Sequence, residues 1–168
     1  MGKALFPGSF DPVTYGHLDV IERASMVFEH LEVAVAVNPT KLPIFTVQER
    51  VKMLEGLTAG FKNVSVGWFE GLTVEYMRAK GIRALVRGIR TFADFEYEAS
   101  LANANRCVAP EIETVFILSD TKYSFVSSRM IRELATYGGN VSAFVPQDIA
   151  RELIARAQGK KPVDQDMR

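Results

Sequence analysis

The sequence predicts an α/β fold: a Rossmann-like, open five-stranded parallel sheet with helices on both faces and a C-terminal helix. Three observations carry that expectation. Strand-length runs alternate with helix-period apolar stripes five times along the 168 residues. No internal repeat and no linker-like stretch divides the chain. Polar and cationic residues also gather just after the expected strands, where open parallel sheets bind their ligands.

The first strand begins near Leu5 and ends in a turn broken by Pro7, Gly8 and Pro12, with Ser9 between them. After Gly16, an apolar stripe of Leu18, Ile21, Ala24 and Phe28 has helical spacing and places His17 in the helix's first turn. The backbone N–H groups of such a helix start lack partners and favour anions. Gly8, with no Cβ, would let a ligand approach the main chain.

Residues 31–37 are a β-branched second strand, stopped by Asn38 and Pro39, and residues 40–45 form a loop holding Lys41. Thr46 and Glu49 make a capping box for a helix with Val47, Val51 and Leu54 on one side. Residues 63–69 are the third strand. Residues 73–80 are a short helix closed by Gly81. Residues 84–86 are the fourth strand, running at once into Arg87-Gly88-Ile89-Arg90.

A helix over residues 92–107 stops near Pro110, and residues 113–118 are the fifth strand. A polar turn over residues 119–123 leads through residues 125–132 into a helix ending at Tyr137, before Gly138 and Gly139. The last helix runs from Pro146 to about Gln158. The expected domain is a single one over residues 1–158, with residues 159–168 a disordered polar tail.

Composition narrows the function. Twenty basic residues balance twenty acidic ones, so there is no electrostatic case for nucleic acid. One cysteine excludes a disulfide framework, and Cys107 is read as a buried small hydrophobe. His17 and His30 have no metal-ligand spacing with carboxylates, so no metal site is expected in the protein itself. His30 is read as a cap or surface group where the first helix ends. No run approaches the ~20 apolar residues of a membrane span and no signal peptide is recognised, so the expected location is cytoplasmic.

Ser9 and His17 follow the first strand, Lys41 the second, Arg87 and Arg90 the fourth, and Ser127, Ser128 and Arg129 the fifth. All should meet at one rim, placing up to four cations in a cleft with few acids among them. Guanidinium forks match phosphate oxygens in pairs. The bland alternatives stand beside this. Each cation alone is an ordinary surface charge, Ser127 and Ser128 serve equally as N-caps, and neither G-x-G-x-x-G nor a phosphate-loop pattern occurs. Asp94, Glu98, Leu101 and Asn105 share one helix face, either an exposed flank or the lining of a pocket.

Thr14-Tyr15-Gly16-His17 resembles the T/H-x-G-H element of the nucleotidyltransferase superfamily, and Val126-Ser127-Ser128-Arg129-Met130-Ile131-Arg132 is similar to its I-S-S-T-x-I-R signature. Pro7-Gly8-Ser9-Phe10-Asp11-Pro12, the residues from Lys41 to Thr46, Arg87-Gly88-Ile89-Arg90 and Asp94-Phe95-Glu96-Tyr97-Glu98 resemble the bacterial phosphopantetheine adenylyltransferases. The resemblance spans residues 3–157 in order.

It implies transfer of AMP from ATP to 4′-phosphopantetheine, giving dephospho-coenzyme A and pyrophosphate. By position it implies that Ser9, Phe10, His17, Gly88, Ile89, Arg90, Glu98, Tyr123, Ser124, Phe125, Val126, Ser127, Ser128 and Arg129 hold ATP. Ser9, Lys41, Thr73, Arg87, Leu101 and Asn105 would hold phosphopantetheine. His17, Lys41 and Arg90 would be the catalytic group. It further implies Mg²⁺ arriving with ATP, coenzyme A as a competing feedback ligand, and a homohexamer. Ser9 stands where many relatives have Thr, and Arg129 where some have Ser or Thr.

Overall fold

The computed structural model describes residues 2–38 and 42–159. Lys41, with residues 39 and 40, and the expected tail from residue 160 lie outside the described residues. Among the described residues the strands are β1 (Lys3–Gly8), β2 (His30–Val37), β3 (Val64–Glu70), β4 (Ala84–Ile89) and β5 (Glu113–Leu118). They form one parallel sheet in the order β3-β2-β1-β4-β5. The helices are α1 (Tyr15–Val27), α2 (Val47–Thr58), α3 (Thr73–Lys80), α4 (Phe92–Val108), α5 (Ser128–Thr136) and α6 (Gln147–Ala157). The expected fold class is therefore the observed one.

Alternation along the central strands sorts the core into two layers. Ala4 and Phe6 of β1, with Val33 and Val35 of β2, meet Ile21 of α1, Leu54 of α2, Ile131 of α5 and Leu153 of α6. Leu5 and Ala34 face the other way, toward Phe69, Val74, Met77, Leu85 and Ile112. Strands buried on both faces need the near-continuous apolar runs read in β1 and β2. α3 ends as its sequence demands, with Gly81 in the left-handed region at φ 65°.

Four expectations are corrected. β4 continues to Ile89, because Arg87, Gly88 and Ile89 pair with Phe116, Ile117 and Leu118 of β5. Arg87 and Gly88 therefore lie inside a strand, a place an arginine tolerates when its side chain projects into a cleft. His30 caps no helix: it opens β2, and its Nε2 lies 2.9 Å from Ser65 Oγ on β3. Cys107 is exposed, because α4 buries none of its residues. α5 begins at Ser128, earlier than the motif's end at Arg132, because Ser127 caps it.

The topology opens a cleft. The chain walks from β1 outward to β3, then returns to the far side of β1 with β4, so the order reverses between β1 and β4. The β1–β4 ladder ends at Leu5–Leu85, although β4 remains paired with β5 to Ile89–Leu118. Pro7 has no N–H with which to extend the ladder. Its carbonyl instead accepts from Arg87 Nη1 at 3.2 Å.

Candidate active site

His17 is held by its own helix. Thr14 is the N-cap of α1, and its Oγ1 accepts from the His17 N–H at 3.2 Å. The Thr14 N–H donates to His17 Nδ1 at 3.0 Å, and Thr14 Oγ1 lies 3.1 Å from the same nitrogen. This is a capping box with histidine in the place usually taken by Glu or Gln. A backbone N–H can only donate, so Nδ1 must accept. The proton of the neutral ring then sits on Nε2. Burial, with the Arg90 charge adding to it, pulls the imidazole pKa down to about 4. At neutral pH His17 is an uncharged Nε2–H donor facing a cavity.

The β1–α1 turn is packed around that ring. Phe10 is fully buried, stands at φ 48°, and meets His17 edge to face with centroids 5.0 Å apart. A non-glycine residue at positive φ carries strain of ~1–3 kcal/mol, and such strain collects at functional sites. A Cβ on Gly8 would lie 2.9 Å from Phe10 Cζ. The missing Cβ thus makes room for the Phe10 ring, and Gly8 also lines the cavity that His17 faces, where the sequence places ligand approach to the main chain.

The turn is tied to its neighbours by residues whose roles the sequence did not disclose. The buried Asp11 carboxylate accepts from the Ile44 N–H at 3.1 Å, the Phe45 N–H at 3.0 Å and Arg132 Nη1 at 3.0 Å. The buried Arg50 donates to the Ser9 carbonyl at 2.7 Å and to the Thr46 carbonyl at 3.3 Å. Burial lowers the Arg50 pKa, and the Asp11 charge works against that. A signal for Arg50 existed: it occupies the i+3 place in the apolar stripe Val47, Val51, Leu54. For Asp11 there was none.

Three adjoining hollows open at this rim. One of about 280 Å³ is lined by Ser9, Phe10, His17, Arg87, Gly88, Arg90, Glu98, Val126, Ser127 and Ser128. One of about 250 Å³ is lined by Pro7, Thr73, Arg87, Glu98, Leu101 and Asn105. Arg87 and Glu98 belong to both and form the wall between them. The third, of about 820 Å³, is bordered by Ser9, Arg50, Ser128, Arg129 and Arg132. Glu98, Leu101 and Asn105 of the α4 stripe are thus cavity lining, while Asp94 lines none of the three hollows.

Most of the expected residues therefore converge, with three qualifications. Ile89 is buried in β4 and lines none of these hollows. Tyr123, Ser124 and Phe125 flank the cleft without lining it: Tyr123 stacks on Tyr15, Ser124 Oγ donates to the Thr121 carbonyl, and Phe125 packs against Phe144. Arg129 is exposed and borders the large hollow only. Ser127 caps α5, accepting from the Met130 N–H at 3.1 Å, and Ser128 Oγ donates to the Pro12 carbonyl at 3.0 Å.

The expectation of cations with few acids is corrected. Arg87 is paired with Glu98, and Arg90 with Asp94. Strand and helix are joined by a two-residue connection, and that brings the carboxylates of the α4 stripe down onto the arginines. Lys41 lies outside the described residues.

Comparison with known proteins agrees with this geometry. A family model described as cytidylyltransferase-like matches residues 5–134. A phosphopantetheine adenylyltransferase of Desulforudis audaxviator is 51% identical over 153 residues, 91% of this chain and 94% of that protein. One of Thermosynechococcus vestitus is 48% identical over 152 residues, 90% of each. The crystal structure of a protein from Vibrio parahaemolyticus, assigned as a nicotinate-nucleotide adenylyltransferase, superposes with a TM-score of 0.64 at 19% identity. It covers 91% of this chain and 98% of that one. That likeness speaks for the fold alone.

Proposed function

We infer the function from the premise that this chain belongs to the cytidylyltransferase-like family and, within it, to the phosphopantetheine adenylyltransferases. It transfers the AMP moiety of ATP to 4′-phosphopantetheine, forming dephospho-coenzyme A and pyrophosphate in coenzyme A biosynthesis. The observation that carries the reading is high identity over nearly the whole of both chains, with the motif residues gathered at one cleft.

The mechanism is direct in-line attack. The acceptor's phosphate is the nucleophile, and with a second pKa near ~6 it is mostly ionised at neutral pH. No general base is needed, so the site's task is to align two anions and neutralise charge growing on the α-phosphate. His17 donates from Nε2–H to an α-phosphate oxygen. Being neutral, it does so without drawing the ring toward carboxylates. Arg90 and Lys41 complete the catalytic group. The Phe10–Ser128 cavity takes ATP, with Tyr123, Ser124, Phe125 and Arg129 at its mouth. The neighbouring cavity takes the pantetheine arm along Leu101 and Asn105, with Thr73 at its edge and Arg87 on the phosphate.

Mg²⁺, which the resemblance implies, would come with ATP and offset part of the triphosphate's charge. Among the described residues no group of three or more His, Cys, Asp or Glu is placed to hold a metal. Coenzyme A carries the same pantetheine arm and competes for the same cavity. The protein works in the cytoplasm; among the described residues no helix is long and apolar enough to cross a membrane. It assembles as a homohexamer. Supporting self-association, Phe92, Tyr97 and Val108 of α4 are 76%, 65% and 57% exposed.

The test is pyrophosphate release from ATP with 4′-phosphopantetheine, nicotinamide mononucleotide or no acceptor, and with CTP in place of ATP. Release is expected only with ATP and phosphopantetheine, and release with another pair would reassign the substrate. A light-scattering mass tests the hexamer.

A further inference from the structure

Arg87 and Arg90 are held by one repeated pattern of bonds. Arg87 donates from Nε and Nη2 to the two oxygens of Glu98, at 2.7 and 2.5 Å, and from Nη1 to the Pro7 carbonyl at 3.2 Å. Arg90 donates from Nε and Nη2 to the two oxygens of Asp94, at 2.8 and 3.1 Å, and from Nη1 to the Val126 carbonyl at 2.7 Å. A guanidinium carries five N–H groups. Each pattern uses three and leaves one hydrogen on Nη1 and one on Nη2. Those two hydrogens are the donors that remain for phosphate oxygens. The carboxylates stand four residues apart on α4, about one turn, opposite arginines three apart at the end of β4.

We propose that Asp94 and Glu98 are positioning residues that present the two arginines to the substrates' phosphates. Asp94 acts through Arg90 on ATP, and Glu98 acts through Arg87 on the acceptor phosphate. The division of labour rests on the substrate assignment made above. Glu98 lines both hollows, so besides holding Arg87 it borders the ATP cavity to which the resemblance assigns it.

Two effects of opposite sign decide the test. A carboxylate beside an anion site repels the ligand, so simple Coulombic reasoning has its removal tighten binding. Each of these carboxylates is already neutralised by contact with a guanidinium, which leaves little repulsion to relieve. A carboxamide keeps the shape but accepts on one atom only and turns an NH₂ toward the arginine. The fork breaks, a long side chain regains its freedom, and anion binding weakens.

The experiment measures binding of ATP and of 4′-phosphopantetheine by calorimetry, with kcat, for wild type, D94N and E98Q, and a thermal melt for each. D94N is expected to weaken ATP roughly tenfold and leave phosphopantetheine within about twofold, E98Q to weaken phosphopantetheine roughly tenfold and ATP by less, since Glu98 also lines the ATP cavity, and kcat to fall by up to ~10² in both. In an R90K background D94N should add little, because lysine has no fork to align. E98D and D94E keep the charge but misplace the oxygens. They should give the same crossed losses, and they serve if an amide variant fails to fold. Unchanged or tighter binding, or equal loss of both ligands in both variants, overturns the proposal. Wild-type protein that binds neither ligand overturns the substrate assignment and this inference with it.

Discussion

The two walls of the cleft hold their hydrogen-bond donors by different means. On the α1 wall, His17 is fixed by Thr14 inside a single turn of helix, through main-chain and side-chain bonds three residues apart. On the β4–α4 wall, Arg87 and Arg90 are fixed by carboxylates from a helix that buries none of its 17 residues. The first grip forms wherever the helix forms. The second exists only when strand and helix have docked. The chain has placed its uncharged donor on the local, packed wall and its charged donors on the tertiary, solvent-bathed one. Burial costs a neutral imidazole little and a guanidinium much.

The contrast can be broken most sharply at His17. His17→Ala should lower kcat by on the order of 10²–10³, the scale for losing one transition-state donor, with little change in phosphopantetheine affinity. Steady-state kinetics would remove His17 from the mechanism if kcat stayed at the wild-type value.

Acid should act on the same wall. The folded imidazole titrates near 4, below its ordinary 6.5, so the unfolded chain takes up the proton first as pH falls. Stability is therefore full above about pH 6.5 and is lost down to about pH 4, by on the order of 3 kcal/mol. Urea denaturation against pH, compared with His17→Gln, isolates this slope. An NMR titration midpoint above 6 would mean the ring is open to water.

Gly8→Ala tests the packing beneath it. Its Cβ would press on a Phe10 ring that is fully buried and in contact with His17, so overpacking should cost ~1–3 kcal/mol. The melting temperature should drop, with kcat falling alongside it; an unchanged melt would show that the ring yields freely. The smallest effect belongs to the cap. Thr14→Ala should cost ~1 kcal/mol of stability, and Thr14→Ser should restore it. If Ser failed to rescue in chemical denaturation, the hydroxyl would not be the stabilising group.

Much of this was legible in the residues. The capping box at Thr46, the stop at Gly81, the apolar runs of β1 and β2 and the rim order of Ser9, His17, Arg90 and Ser128 all follow from local pattern. The misreadings have physical causes. β4 looked as if it ended at Val86 because Arg87 is polar, yet pairing with β5 carries the strand to Ile89. Cys107 looked buried because small thiols usually are, but α4 turns no residue into the core. Asp11 gave no signal because its partners, Ile44, Phe45 and Arg132, lie in two distant segments.

Residue order alone settled the alternation of strand and helix and the helix stops and caps at Thr46 and Gly81, since each rests on groups close together along the chain. Packing of the whole chain settled where β1 and β4 part, which carboxylate meets which arginine, and how one rim divides into adjoining hollows. Those depend on separations of side chains brought together from remote segments, and a hydrogen bond or ion pair that fades within an ångström or two cannot be read from spacing along the chain.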